Sequence, residues 1–161
     1  MKARSRLVSD AEQLFRIAET YRSARRKISL TTGAFDILHP GHLLYLEQVR
    51  SYGDVLIVGV TSDRTIRADK GAERPVNPES DRAFVVAGFW CVDHAFIFDG
   101  DDVRLIDIVR PAVCVYSETS KKPVSDRVAE IARVERHGGK IVFLPAMYSR
   151  HTSDIIRTLR T

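Results

Sequence analysis

Short apolar runs recur along this sequence at nearly regular intervals, and between them the apolar residues shift to helical spacing. The runs lie at 27–32, 55–60, 95–98, 112–116 and 140–144, and β-branched residues recur among them. Such runs suit strands buried on both faces of a parallel sheet. The intervening segments read as amphipathic helices. Ser9 or Asp10 can cap one carrying Leu14, Ile17, Ala18 and Tyr21, and 42–52 places Leu43, Leu44, Leu46 and Val49 along another, closed by Gly53. Asn77-Pro78-Glu79 opens a third through Arg82, Val85, Val86 and Phe89, with Pro in the first turn. Further helices are predicted over 101–109, 124–137 and 154–159, the last capped by Thr152 or Ser153. Strand–helix alternation of this kind gives an α/β fold: a doubly wound parallel sheet of about five strands, with helices on both faces. At 161 residues the chain is one domain, 1–161, in which a basic arm over 1–8 is expected to fray.

In a doubly wound sheet, ligands sit beyond the carboxyl ends of the strands. The first strand ends in Gly33-Ala34-Phe35-Asp36-Ile37-Leu38-His39-Pro40-Gly41-His42 and runs into a helix. Gly33 permits a close backbone approach, and Gly41 opens a helix start whose free N–H groups and dipole attract phosphate. His39 and His42 can each donate a charge-assisted hydrogen bond to phosphate oxygens, and the helix start holds His42 largely neutral until an anion arrives. Two histidines three apart are by themselves more often a surface pair. Here they follow a strand, precede a helix and come with both glycines.

The pattern Gly-x-Phe-Asp-x-x-His-x-Gly-His resembles the signature of the cytidylyltransferase-like nucleotidyltransferases, a Rossmann-like superfamily. The likeness continues through 52–63, Lys70-Gly71, Arg74-Pro75-Val76-Asn77-Pro78, Arg82, Val92-Asp93, Arg110-Pro111 and Gly138-Gly139-Lys140, covering about residues 9–160. Within the family, the chain is most similar to the adenylyltransferase domains of bacterial ADP-heptose synthases.

The resemblance implies transfer of a nucleoside monophosphate from a nucleoside triphosphate to a small phosphorylated acceptor, with release of pyrophosphate. ATP and a phosphorylated sugar or polyol are the first expectation. CTP with glycerol phosphate, an alditol phosphate or a phosphonate is the second, and flavin adenylylation the third. A nucleotide-binding protein without turnover is the alternative of another class. By the same resemblance His39, His42, Lys70 and Arg82 are catalytic, with Lys70 in a glycine-containing loop. Gly33, Ala34, Phe35, Asp36, Gly41, Thr152 and Ser153 bind the nucleotide, and Asp63, Arg74 and Glu118 face the acceptor. Mg²⁺ travels with the triphosphate, and no all-protein metal cage is read in the sequence. Homodimerisation is compatible with the family.

The sequence departs from the heptose enzymes after the fourth of these strands. They carry a Lys-Gly-Gly-Asp-Tyr-like segment where this chain has Tyr116-Ser117-Glu118-Thr119-Ser120, so a carboxylate stands where they have a lysine and glycines. Lys121-Lys122 reads as a solvated loop.

Composition narrows the partners. Twenty-five Lys and Arg against 21 Asp and Glu leave a net charge of +4, scattered along the chain rather than interleaved with aromatics, which argues against nucleic acid. No stretch approaches the ~20 apolar residues of a membrane span. The two cysteines, Cys91 and Cys114, lie in apolar runs and read as buried free thiols of a cytoplasmic protein.

Overall fold

The computed structural model describes residues 3–118, 120, 122–148 and 158. Its six strands form one all-parallel sheet, β1 Leu7–Val8, β2 Ile28–Gly33, β3 Val55–Thr61, β4 His94–Phe98, β5 Val113–Ser117 and β6 Lys140–Leu144, in the order β1-β4-β3-β2-β5-β6. The helices are α1 Ala11–Ser23, α2 Pro40–Arg50, α3 Asp63–Lys70, α4 Glu79–Gly88, α5 Asp102–Val109 and α6 Val128–Arg136. The doubly wound parallel architecture is as predicted, and the reason is visible in β3, where six of seven residues are buried. One face of the sheet packs on Leu46 and Val49 of α2 and Ala83 and Val86 of α4. The other packs on Leu14 and Ala18 of α1, Leu105 and Ile106 of α5 and Val134 of α6. Cys91 and Cys114 are buried free thiols, one in each of these two clusters.

Four expectations are corrected. The sheet has a sixth strand, because Arg6, Leu7 and Val8, within the stretch expected to fray, are docked. Leu7 and Val8 pair with Ala95 and Phe96, and the Arg6 guanidinium donates to the Phe89 carbonyl at 2.9 Å. Two residues are too few to show a period. Helix α3 was not predicted, because only Ile66 of its eight residues is buried; Lys70 is therefore the last residue of a helix rather than part of a loop. Pro78 is the N-cap of α4, one position before its first turn. The helix predicted over 124–137 breaks at Arg127, with a 3₁₀ turn at Val124–Asp126 before it and α6 after it. The predicted helix over 154–159 lies outside the described residues, apart from Thr158.

Capping follows the sequence at α1, where the Asp10 carboxylate accepts the Gln13 N–H at 2.7 Å. From β2 the chain winds outward to β3 and β4, then returns to lay β5 against the free side of β2. The direction of winding reverses between β2 and β5, and the crevice lies there.

Candidate active site

Strands β2 and β5 part before they end. Their pairing covers only Ser29 with Val113 and Leu30 with Cys114, although the strands run on to Gly33 and Ser117. Tyr45 of α2 spans the gap. Its hydroxyl donates to the Val115 carbonyl at 3.1 Å and lies 2.8 Å from the Thr31 hydroxyl. Burial raises its pKa above the ordinary phenol range, so it stays a donor. Above this bridge opens a cavity of about 740 Å³.

One wall is the turn from β2 into α2. Phe35 adopts a left-handed backbone, φ 49°, and its ring folds back so closely that a Cβ on Gly33 would stand 2.9 Å from it. Gly41 is as constrained: a Cβ there would lie 2.8 Å from Tyr148 and 2.9 Å from the His39 ring. His39 is the N-cap of α2. Its Nδ1 accepts the Gly41 N–H at 3.1 Å, while Nδ1 of His42 accepts the His39 N–H at 3.3 Å. Both rings therefore use Nδ1 as an acceptor, which assigns the neutral tautomer with the proton on Nε2. The ring centroids are 4.0 Å apart, and Tyr148 stacks on His39. Both histidines thus stand at the amino end of an eleven-residue helix, and both line the cavity.

Behind this turn lies a buried buttress. Asp36, 5% exposed, accepts the backbone N–H groups of Val76 and Asn77, each at 2.9 Å, and pairs with Arg74 at 2.7 Å. Arg82 is 2% exposed, and its guanidinium donates to the carbonyls of Ala34, Thr61 at 2.7 Å and Asn77 at 3.0 Å, and to the Asp63 carboxylate at 2.8 Å.

Of the residues singled out in the sequence, Gly33, Ala34, Phe35, Asp36, His39, Gly41, His42, Lys70 and Arg74 line the cavity together. Arg82 and Asp63 do not: they are paired with each other behind the turn. Glu118 does not either; its backbone N–H is tied to Leu144 and its residue is exposed. Thr152 and Ser153 lie outside the described residues. Lys122 is exposed in a loop, as read in the sequence, with its ammonium paired to the buried Glu130, and Lys121 lies outside the described residues.

The opposite wall includes Tyr116 and Ser120 of the segment singled out in the sequence, whereas Asp102 and Arg127 were not read there. Asp102, Tyr116, Ser120, Lys122 and Arg127 line it. Asp102 sits in the Asp-Gly-Asp-Asp run at the end of β4, a pattern that signals only a helix cap, and Asp101 is that cap. Burial raises the Asp102 carboxyl above the usual carboxylate range.

Two predictions arise here. Lys70 is exposed at the end of α3, so Lys70→Ala is expected to shift stability by within ~0.5 kcal/mol while weakening triphosphate use, read as a rise in KM for nucleotide beside an unchanged Tm. Glu118→Lys is expected to leave acceptor preference unchanged; a change in the ranking of acceptors would bring Glu118 into the cleft.

The model of the family described as cytidylyltransferase-like matches residues 30–158. Bifunctional protein HldE of Geotalea uraniireducens is 36% identical over 155 residues, covering 96% of this chain and 31% of that protein. Bifunctional protein HldE of Geobacter metallireducens is 38% identical over 152 residues, covering 92% and 30%. The chain thus spans about a third of the length of these curated relatives. Among solved structures, the lipopolysaccharide core biosynthesis protein of Thermoplasma volcanium superposes with a TM-score of 0.65 at 25% identity, covering 78% of this chain and 99% of that one. Pantoate-beta-alanine ligase of Francisella tularensis superposes with a TM-score of 0.64 at 16% identity, over 91% and 68%, and shares the fold.

Proposed function

Because the chain belongs to the cytidylyltransferase-like family of nucleotidyltransferases, we propose that its cleft joins a nucleoside monophosphate to a small phosphorylated acceptor. ATP as donor and a phosphorylated sugar or polyol as acceptor are the favoured pair. The likeness to ADP-heptose synthase adenylyltransferase domains supports this choice. An oxygen of the acceptor phosphate attacks the α-phosphorus of the nucleotide. The bond from that phosphorus to the bridging oxygen breaks, and pyrophosphate leaves with the bond's electron pair.

The observation that carries the reading is the pair of Nε2–H donors on His39 and His42, fixed by helix amides at their other nitrogens. Negative charge grows on the α-phosphate oxygens and on the departing pyrophosphate, and prepositioned donors stabilise that charge without reorganising. The Nδ1 contacts prevent the rings from turning their donors away. Lys70, which lines the same cavity, adds a point charge toward the triphosphate. Arg74 is held in place by Asp36 and keeps the 74–77 segment against the phosphate turn. Thr152 and Ser153 remain proposed phosphate contacts.

Among the described residues no three His, Cys, Asp or Glu side chains converge as a metal site. The cleft does present the Asp69 carboxylate. This fits Mg²⁺ brought by the triphosphate, whose oxygens supply most of its ligands, with that carboxylate as a hard donor from the protein. When bound it screens phosphate charge. No helix among the described residues is long and apolar enough to cross a membrane. We place the reaction in the cytoplasm, where nucleotides are available and the two thiols stay reduced.

The second reading is cytidylyl transfer from CTP to glycerol phosphate, an alditol phosphate or a phosphonate. It is favoured by the replaced segment at Tyr116–Ser120, where the family's nucleotide and acceptor pocket lies. Pyrophosphate release, measured over a grid of nucleoside triphosphates against sugar, polyol and phosphonate acceptors, tests both. A productive ATP pair supports the first reading and a productive CTP pair the second. Nucleotide binding across a grid that stays silent makes the protein a binder.

A further inference from the structure

The wall of the cleft formed at the carboxyl end of β5 holds a cluster of polar side chains that the described residues leave incomplete. Arg127 caps α6 and is 4% exposed, its guanidinium carbon lying 3.7 Å from the centre of the Tyr116 ring. One terminal nitrogen donates to the Ser120 hydroxyl at 3.1 Å. The other stands 3.6 Å from Asp102 and 3.7 Å from Glu130, too far for a hydrogen bond. This nitrogen and Nε of Arg127, Oδ1 of Asp102, the Tyr116 hydroxyl and Oε2 of Glu130 are all buried without a partner. Native interiors leave few such groups unpaired, and one cluster here holds five of these atoms.

The chemistry of the cluster says what would complete it. Donors and acceptors are mixed, and the charges balance: Arg127 and Lys122 against Asp102 and Glu130. A bare phosphate would gain from the guanidinium but meet two carboxylates, and an apolar or aromatic group would leave every atom unpaired. A hydroxyl both donates and accepts, and two adjacent hydroxyls match a carboxylate oxygen beside a guanidinium. Resting on the reading of this cleft as a nucleotidyl-transfer site, we propose that Asp102 and Arg127 bind a vicinal diol of one of the two phosphorylated substrates. Asp102 accepts from it and Arg127 donates to it, while the attached phosphate reaches the His39 and His42 wall. Asp102 and Arg127 both line the cavity, and the diol engages their buried atoms through a small turn of the two side chains. Tyr116 keeps the guanidinium in the wall. The positive charge on this wall comes from Arg127 at the start of α6, laid over an aromatic ring.

The diol belongs either to the ribose of the nucleotide or to the acceptor, and the experiment separates them. The full chain, wild type, Asp102→Asn and Arg127→Lys, is titrated with the active triphosphate, its 2′-deoxy and 3′-deoxy forms, and acceptor phosphates with and without adjacent hydroxyls. The expected result is a roughly 10–100-fold preference for the diol over the deoxy analogue in the wild type, collapsing toward unity in Asp102→Asn. Collapse on the nucleotide side assigns the ribose; collapse on the acceptor side assigns the sugar or polyol. Folding is controlled independently. The Asp102 carboxyl is raised by burial, so its charged form opposes folding above the ordinary carboxylate pKa. Asp102→Asn is therefore expected to hold or raise Tm at neutral pH, with the gain fading as pH falls through the raised pKa. A folded Asp102→Asn and a folded Arg127→Lys that both keep the wild-type preference overturn the proposal. If the wild type binds no nucleoside triphosphate, the nucleotidyl-transfer reading fails instead. The acceptor titration alone then decides the cluster: diol preference lost in Asp102→Asn supports it, and no preference in the wild type overturns it.

Discussion

Turnover is expected to fall by ~10²–10³-fold in His42→Ala, with a much smaller change in KM for the nucleotide. His42 lines the cavity, and with Nδ1 occupied by the His39 N–H its donor is Nε2. Its removal therefore deletes a donor aimed at charge that exists only as the α-phosphorus is attacked. The substitution also deletes half of a capping interaction, worth ~1 kcal/mol of helix stability. The other half, His39 on the Gly41 N–H, remains, so α2 should still form. His42→Asn separates the two effects. An amide can accept the His39 N–H but cannot place a donor where Nε2 stands, so stability is expected to recover while turnover does not. A loss of less than tenfold in His42→Ala would remove His42 from the chemistry.

Arg82→Met carries the largest expected cost in stability, about 3–5 kcal/mol. The guanidinium is buried and fills four acceptors: the Ala34, Thr61 and Asn77 carbonyls and Asp63. Methionine fills the volume and leaves those acceptors without their donor. A loss of that size lowers Tm by roughly 10 °C or more in a domain of this length. Lysine is expected to recover little, since a point charge cannot serve four acceptors spread around a planar fork. If Arg82 instead met the triphosphate, Arg82→Met would leave Tm in place and lower activity alone. The difference is read from one melting curve and one rate.

The same residue shows what a sequence can and cannot disclose. The strands were legible because burial on both faces leaves continuous apolar runs, and α1 because an acidic cap precedes a periodic stripe. The turn from β2 into α2 was legible because glycines and histidines have special geometry wherever they stand. A basic residue has no such signature. Arg82 in the first turn of α4 and Arg127 before α6 read equally well as surface charges or phosphate ligands. Only the fold shows the first turned inward onto three carbonyls and the second laid on Tyr116. Asp36 is similar: its motif suggests a nucleotide contact, whereas its oxygens are occupied by Val76, Asn77 and Arg74. Helix α3 escaped because a helix with one buried residue carries no stripe, and β1 because two residues carry no period. Asp102 was hidden beside Asp101, which does the capping its neighbour seems to announce.

The central claim is that this cleft moves the α-phosphorus of a nucleotide onto another phosphate. The most direct test follows label from a nucleoside triphosphate marked separately at the α and γ positions, incubated with the acceptor and Mg²⁺. The account predicts the α label in the acceptor product, the γ label in pyrophosphate in equal amount, and loss of both products in His42→Ala. The γ label in the acceptor, or both labels remaining in bound and unreacted nucleotide, would contradict it.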